Sequence, residues 1–160
     1  MKLDAALKAR LEFLCRVVDK EAHYLQETDA RLFSEELNEE TLKRIAEDAL
    51  LAERLDAFVS RFGRLQDTVG DKFLPAMLDA MAEQTGAAIE NLDRAEKLGW
   101  LDSADTWLEI RKLRNQMVHE YIEDLAILSS ALNAGHRFVP VLVQAANRLS
   151  QQARQRISAR

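Results

Sequence analysis

With 160 residues and a formal charge of -5, the chain has the length for one domain with a sizeable core and little room for a second. Only five Gly and two Pro are available for turns, while Ala, Leu, Glu, Arg and Gln are abundant, so an all-α fold is predicted across a single domain, 1–160. The acidic balance excludes a broad electrostatic footprint for nucleic acid, which leaves only local contacts with RNA.

The first helix is predicted from Leu3 to about Leu25, with Leu7, Leu11, Leu14, Val18 and Ala22 on one face. Cys15 lies within it; as the single cysteine it excludes an internal disulfide and reads as a small buried hydrophobe in a reducing compartment. His23 has no metal-ligand companions and receives no role. Glu27 to Glu36 reads as a connector. Asn38 is a good N-cap, with Leu37 and Leu42 placed as a hydrophobic staple, and a long second helix is expected from there. Its apolar seam runs through Ile45, Leu55, Phe58, Phe62, Leu65, Val69, Phe73 and Met77, as bundle core or as a surface for a helical partner. Gly63, Gly70 and Pro75 weaken it, and a kink is expected between Gly70 and Pro75.

Gly86 opens a shorter helix with Ile89, Leu92, Ala95 and Leu98 inward and Gly99 at its C′ position. Asp102 or Ser103 caps the next helix, with Asp105 near its positive end. Beyond it, a short apolar piece through Leu132 leads to a turn at Asn133-Ala134-Gly135. Pro140 then stands in the first turn of a last helix carrying Phe138, Leu142, Ala145 and Leu149 inward. The basic end, Arg148, Arg154, Arg156 and Arg160, reads as a solvated terminus. Together these give an up-and-down bundle of four to five main helices with a long kinked second helix. No signal-peptide pattern and no apolar run near ~18 residues stands out, so a cytoplasmic protein with no membrane partner is expected.

The helix after Ser103 holds the residues with chemical interest. At ~100° per residue, Trp107, Ile110, Leu113, Met117, Val118 and Tyr121 share an apolar face, and Arg114 falls inside it. A guanidinium there is costly unless it is paired or opens into a cleft. Arg111, Asn115 and His119 follow at i,i+4 steps as a polar stripe. No phosphate-binding Gly loop or paired-Cys spacing is present, and His23, His119 and His136 are scattered, so no metal site and no cofactor are expected.

Arg114-Asn115, His119 and Tyr121 together form Arg-x-x-x-x-His-x-Tyr, which resembles the signature of HEPN domains, small helical proteins. The nearest likeness is to the HepT-like members encoded beside minimal nucleotidyltransferases. Gly99-Trp100-Leu101-Asp102 and Trp107-Leu108 are similar to the approach to this motif in the substrate-binding subunits of nucleotidyltransferases, so the likeness covers about Asn91 to Asp124. The resemblance implies a HEPN-like bundle acting as a homodimer and a metal-independent endoribonuclease of a toxin–antitoxin pair. It places Arg114, Asn115 and His119 in the catalytic site, with Arg111 beside them on single-stranded RNA. Tyr121 becomes the tyrosine to which the nucleotidyltransferase antitoxin attaches AMP. The alternative is a non-catalytic nucleotide- or substrate-binding helical subunit of a nucleotidyltransferase, and a helical adaptor using the long seam is a third. Arg114 and His119 are five residues apart and point ~140° away from one another on a regular helix. Convergence requires the helix to deform or end near His119, or a two-fold copy to complete the site.

Overall fold

The computed structural model describes residues 3–119 and 123–159, His119 in its backbone only. The elements in order are α1 (Ala5–Leu32), α2 (Glu39–Lys43) with a 3-10 turn at Arg44–Ala46, α3 (Ala49–Asp67), a π-helical turn at Thr68–Phe73, α4 (Leu74–Ala80), α5 (Ala88–Lys97), α6 (Ala104–His119) and α7 (Leu125–Ser158). All of the described regular structure is helical.

α1 lies between α7 and α3, its two most extensive partners, and α6 covers α3 and α7 from the other side. Leu11, Leu14, Val18, Leu25 and Leu32 of α1 are buried against Leu55, Phe58, Phe62 and Leu65 of α3 and Leu128, Leu132, Leu142 and Leu149 of α7. The apolar seam through Phe58, Val69, Phe73 and Met77 is wholly enclosed, so it is bundle core and offers no surface to a partner helix. Polar ties fix the pairings at their edges. Asp19 accepts from Arg154 (2.7 Å) and Ser150 (3.1 Å), and the first of these bonds holds the Arg154 guanidinium yet more firmly protonated. His136 Nδ1 lies 2.7 Å from Asp29 with its ring stacked on Phe33. Arg61 bonds the Thr28 hydroxyl and covers the Tyr24 ring.

Several sequence expectations need correction. α1 runs to Leu32, because Thr28 and Leu32 continue its buried face where a connector was expected. The second helix does not run unbroken from Asn38. Asn38 caps α2 through Thr41 N (2.8 Å), but the chain turns at Arg44–Ala46 and restarts at Asp48, whose carboxylate accepts from Leu51 N at 3.0 Å. The kink expected between Gly70 and Pro75 takes the form of the π-helical turn, which admits Pro75 at the start of α4.

α7 is one helix where a turn and a restart were expected. Asn133 sends its amide to the Leu37 and Ser129 carbonyls, both at 2.8 Å, and Gly135 is buried directly under the Met117 methyl group. Asn-Ala-Gly here serves close packing. Pro140 consequently sits inside α7 on its exposed face, where water can reach the carbonyl it leaves without a donor. By length and composition alone α7 could cross a bilayer, its 18-residue window having a mean hydropathy of 1.2 with 39% of it buried in the bundle.

Ile89 is 59% exposed instead of inward, since α5 begins at Ala88 and turns Asn91, Leu92 and Ala95 to the core. Asn91 closes the preceding loop by bonding both the amide (2.9 Å) and the carbonyl (3.2 Å) of Gly86. The basic end is helical to Ser158, with Arg148 bonded to Asp102 (2.9 Å) and Arg154 to Asp19, so those two charges are structural ties instead of a solvated tail. Cys15 is buried as expected, and burial raises its thiol pKa.

Gly99 ends α5 with φ +78°, the left-handed value expected at C′. A Cβ there would meet nothing within 4 Å, so Gly99→Ala isolates backbone strain. It should cost about 1 kcal/mol and lower Tm by roughly 2–4 °C in a domain of this size. An unchanged melting temperature would contradict the C′ assignment.

Candidate functional site

Two glycines of the α3 segment set where α6 crosses it. A Cβ at Gly63 would lie 3.2 Å from Arg114 Nε, and one at Gly70 would lie 3.0 Å from Trp107 Nε1. Both pairs are seven residues apart and run in opposite directions, so α6 passes antiparallel over α3 with each large side chain seated at a glycine. Trp107, Ile110 and Met117 are buried, as their face predicts. Val118 is not: it is 46% exposed, one step around the helix from Met117.

Beside this crossing lies an open cleft of about 770 Å³. Its floor is formed by two adjacent i,i+4 rows of the α3 segment. One row is Val59, Gly63, Asp67 and Asp71; the other is Asp56, Ser60, Arg64, Thr68 and Lys72. Arg114, Met117 and Val118 of α6 form the wall. Arg114, Arg64 and Lys72 are matched in number by Asp56, Asp67 and Asp71, so the cleft is formally neutral despite three cations.

Arg114 is the sequence-predicted residue that enters this cleft. Its stem lies over Gly63, Nη2 stands 3.4 Å from Asp67 Oδ2, and Nη1 donates to Asn115 Oδ1 at 3.3 Å. Both contacts are long for charge-assisted bonds. Nε is buried without a partner among the described residues, as are Trp107 Nε1 and Gln66 Nε2, the last on the same face of α3 between the two glycines. The carboxylate partner is a feature that sequence alone left open, and Asp67 supplies it. Asn115 is exposed beside Arg114. Arg111 is half-buried and does not line the cleft. α6 reaches His119; its side chain and Tyr121 lie outside the described residues, so the structure does not join them to Arg114.

Asp67, Arg64, Lys72 and Thr68 were missed by sequence reasoning, although their i,i+4 repetition is legible once the apolar seam is subtracted. Glu21 was missed as well. Its carboxylate accepts from the buried Thr68 hydroxyl at 2.8 Å, and burial raises its pKa, with Asp67 adding to the rise and Thr68, Arg64 and Lys72 opposing it. Among the described residues no three His, Cys, Asp or Glu side chains converge to hold a metal ion. Comparison with protein-family models, curated proteins and solved structures finds no match for the chain.

Because the folded state holds the Glu21 proton more tightly than the unfolded chain, its contribution to stability is full below the ordinary carboxylate pKa and is lost as pH rises through the raised folded value. Glu21→Gln keeps an acceptor for Thr68 and removes the half-buried charge. It should therefore raise Tm at pH 7, with the gain shrinking as pH approaches 4. Equal Tm differences at both pH values would show that ionised Glu21 carries no cost.

Proposed function

We propose that this protein is a metal-independent endoribonuclease with a HEPN-like fold, the toxin of a pair with a minimal nucleotidyltransferase, acting in the cytoplasm as a homodimer. The observation that carries the reading is Arg114, a guanidinium on the motif helix that faces a cleft with donors held only by long contacts. Such a group can grip a phosphate and take up the charge that builds on the phosphorane oxygens. His119 accepts the 2′-hydroxyl proton, O2′ attacks phosphorus, and the P–O5′ bond breaks, leaving a 2′,3′-cyclic phosphate. The departing O5′ takes a proton from the imidazolium of His119 in the second copy. Asn115, in contact with Arg114, orients the guanidinium, and Arg111 meets the RNA outside the cleft. The exposed Val118 at the cleft mouth supports a dimer seam that includes α6.

The formal neutrality of the cleft favours one other reading, a non-catalytic subunit that holds a nucleotide or substrate for a nucleotidyltransferase. A single assay separates the two. Purified protein incubated with single-stranded RNA in excess chelator is expected to cut it and leave cyclic phosphate ends, and Arg114→Ala and His119→Ala should each reduce the rate at least ~100-fold with circular dichroism unchanged. RNA binding without cleavage would support the binding subunit, and cleavage only with an added divalent ion would end the metal-free mechanism.

Regulation follows from Tyr121, two residues beyond His119. On this reading, an AMP on its hydroxyl adds a phosphodiester anion that competes with the RNA phosphate for Arg114. Incubation with the neighbouring nucleotidyltransferase and ATP should add adenylyl mass at Tyr121 and stop cleavage, while Tyr121→Phe stays unmodified and active. Full activity of the adenylylated protein would contradict this regulation.

A further inference from the structure

The cleft floor carries two cations that the motif does not contain. Arg64 and Lys72 stand in the same i,i+4 row, separated by eight residues, or roughly 12 Å along the helix. Arg64 follows Gly63, over which the Arg114 stem crosses; the Arg114 head leans toward Asp67, the Arg64 head toward Ser60, and Lys72 stands further along the cleft. Among the described residues neither Arg64 nor Lys72 has a carboxylate within ion-pair distance. Arg64 has one long contact, Nη2 to Ser60 Oγ at 3.3 Å.

Within its row Asp56 stands at one end and Lys72 at the other, and the adjacent row sets Asp67 and Asp71 beside Thr68 and Lys72. Between the cations, Thr68 has its hydroxyl proton committed to Glu21, so it presents no donor to a phosphate. On this row the charge donors are therefore Arg64 and Lys72, and a strand gripped by Arg114 meets them alongside the carboxylates of Asp67 and Asp71 in the adjacent row.

We propose that Arg64 and Lys72 form a phosphate track on α3 and its π-helical turn that binds the single-stranded RNA backbone flanking the phosphate held by Arg114. This rests on the ribonuclease reading and specifies how its substrate lies. Phosphate contacts of this kind confer affinity without base preference, and each lost contact lowers the salt slope of single-strand binding by about 0.7.

The test is fluorescence anisotropy of a labelled 2′-O-methyl RNA oligonucleotide, which cannot be cut at its 2′ positions, across a salt series. Arg64→Ala and Lys72→Ala should each weaken binding on the order of threefold to tenfold, equally for different sequences, with the shallower slope given above. On cleavable RNA their effect should fall on KM more than on kcat. Arg94→Ala, which removes one charge from α5, should leave binding unchanged. Both track residues are exposed, and circular dichroism checks that the variants fold. If wild-type protein binds RNA while both variants match it in affinity and slope, the track is overturned and the ribonuclease reading stands. If wild-type protein neither binds nor cuts RNA, both fall together.

Discussion

The crossing of α6 over α3 governs this molecule's candidate chemistry. Gly63 and Gly70 remove side chains at the two points where Arg114 and Trp107 pass, and those absences let a tryptophan and an arginine pack onto another helix. Trp107 is buried there, whereas Arg114 has its stem held and its head turned toward a cleft. A glycine inside a helix is destabilising by roughly 1 kcal/mol relative to alanine. Here that local cost is exchanged for close approach of the two helices. The π-helical turn at Thr68–Phe73 belongs to the same arrangement, since Gly70 lies within it and Thr68 and Lys72 project from it toward the cleft.

The helical class and its apolar seams were legible because a 3.6-residue repeat of large side chains has few other uses. The cap Asn38 and the C′ residue Gly99 were legible because each solves a local backbone problem that neighbouring residues reveal; the cap of α6 was narrowed to Asp102 or Ser103, and Ser103 supplies it. The errors arose where one residue type serves two ends. Asn133-Ala134-Gly135 has the composition of a turn, but the asparagine bonds a distant carbonyl and the glycine makes room for Met117, both of which are tertiary facts. Asp48 failed in the opposite sense, as a cap hidden inside an apparently continuous amphipathic run.

The site was legible in part. Arg114 stood out because a permanent charge on an apolar face needs a reason, and the structure supplies an open cleft and a carboxylate. Asp67 could not be read in advance, since it lies 47 residues away and meets Arg114 only through the helix crossing. Its presence shapes the chemistry. A phosphate approaching Arg114 competes with a carboxylate already there, at a distance that leaves the pairing weak enough to exchange. The cleft is neutral in total, its three cations and three carboxylates set along two rows of the α3 segment and on α6.

The central claim is that the Arg114 guanidinium, held at Gly63, is the group that meets the RNA phosphate. The side-chain Nε–Hε resonance of Arg114, identified by its loss in Arg114→Ala, follows this directly in an NMR titration with 2′-O-methyl RNA. This account expects the resonance to shift progressively and saturate together with binding measured by anisotropy. A resonance that stays fixed while the oligonucleotide binds would place the RNA elsewhere and contradict the account.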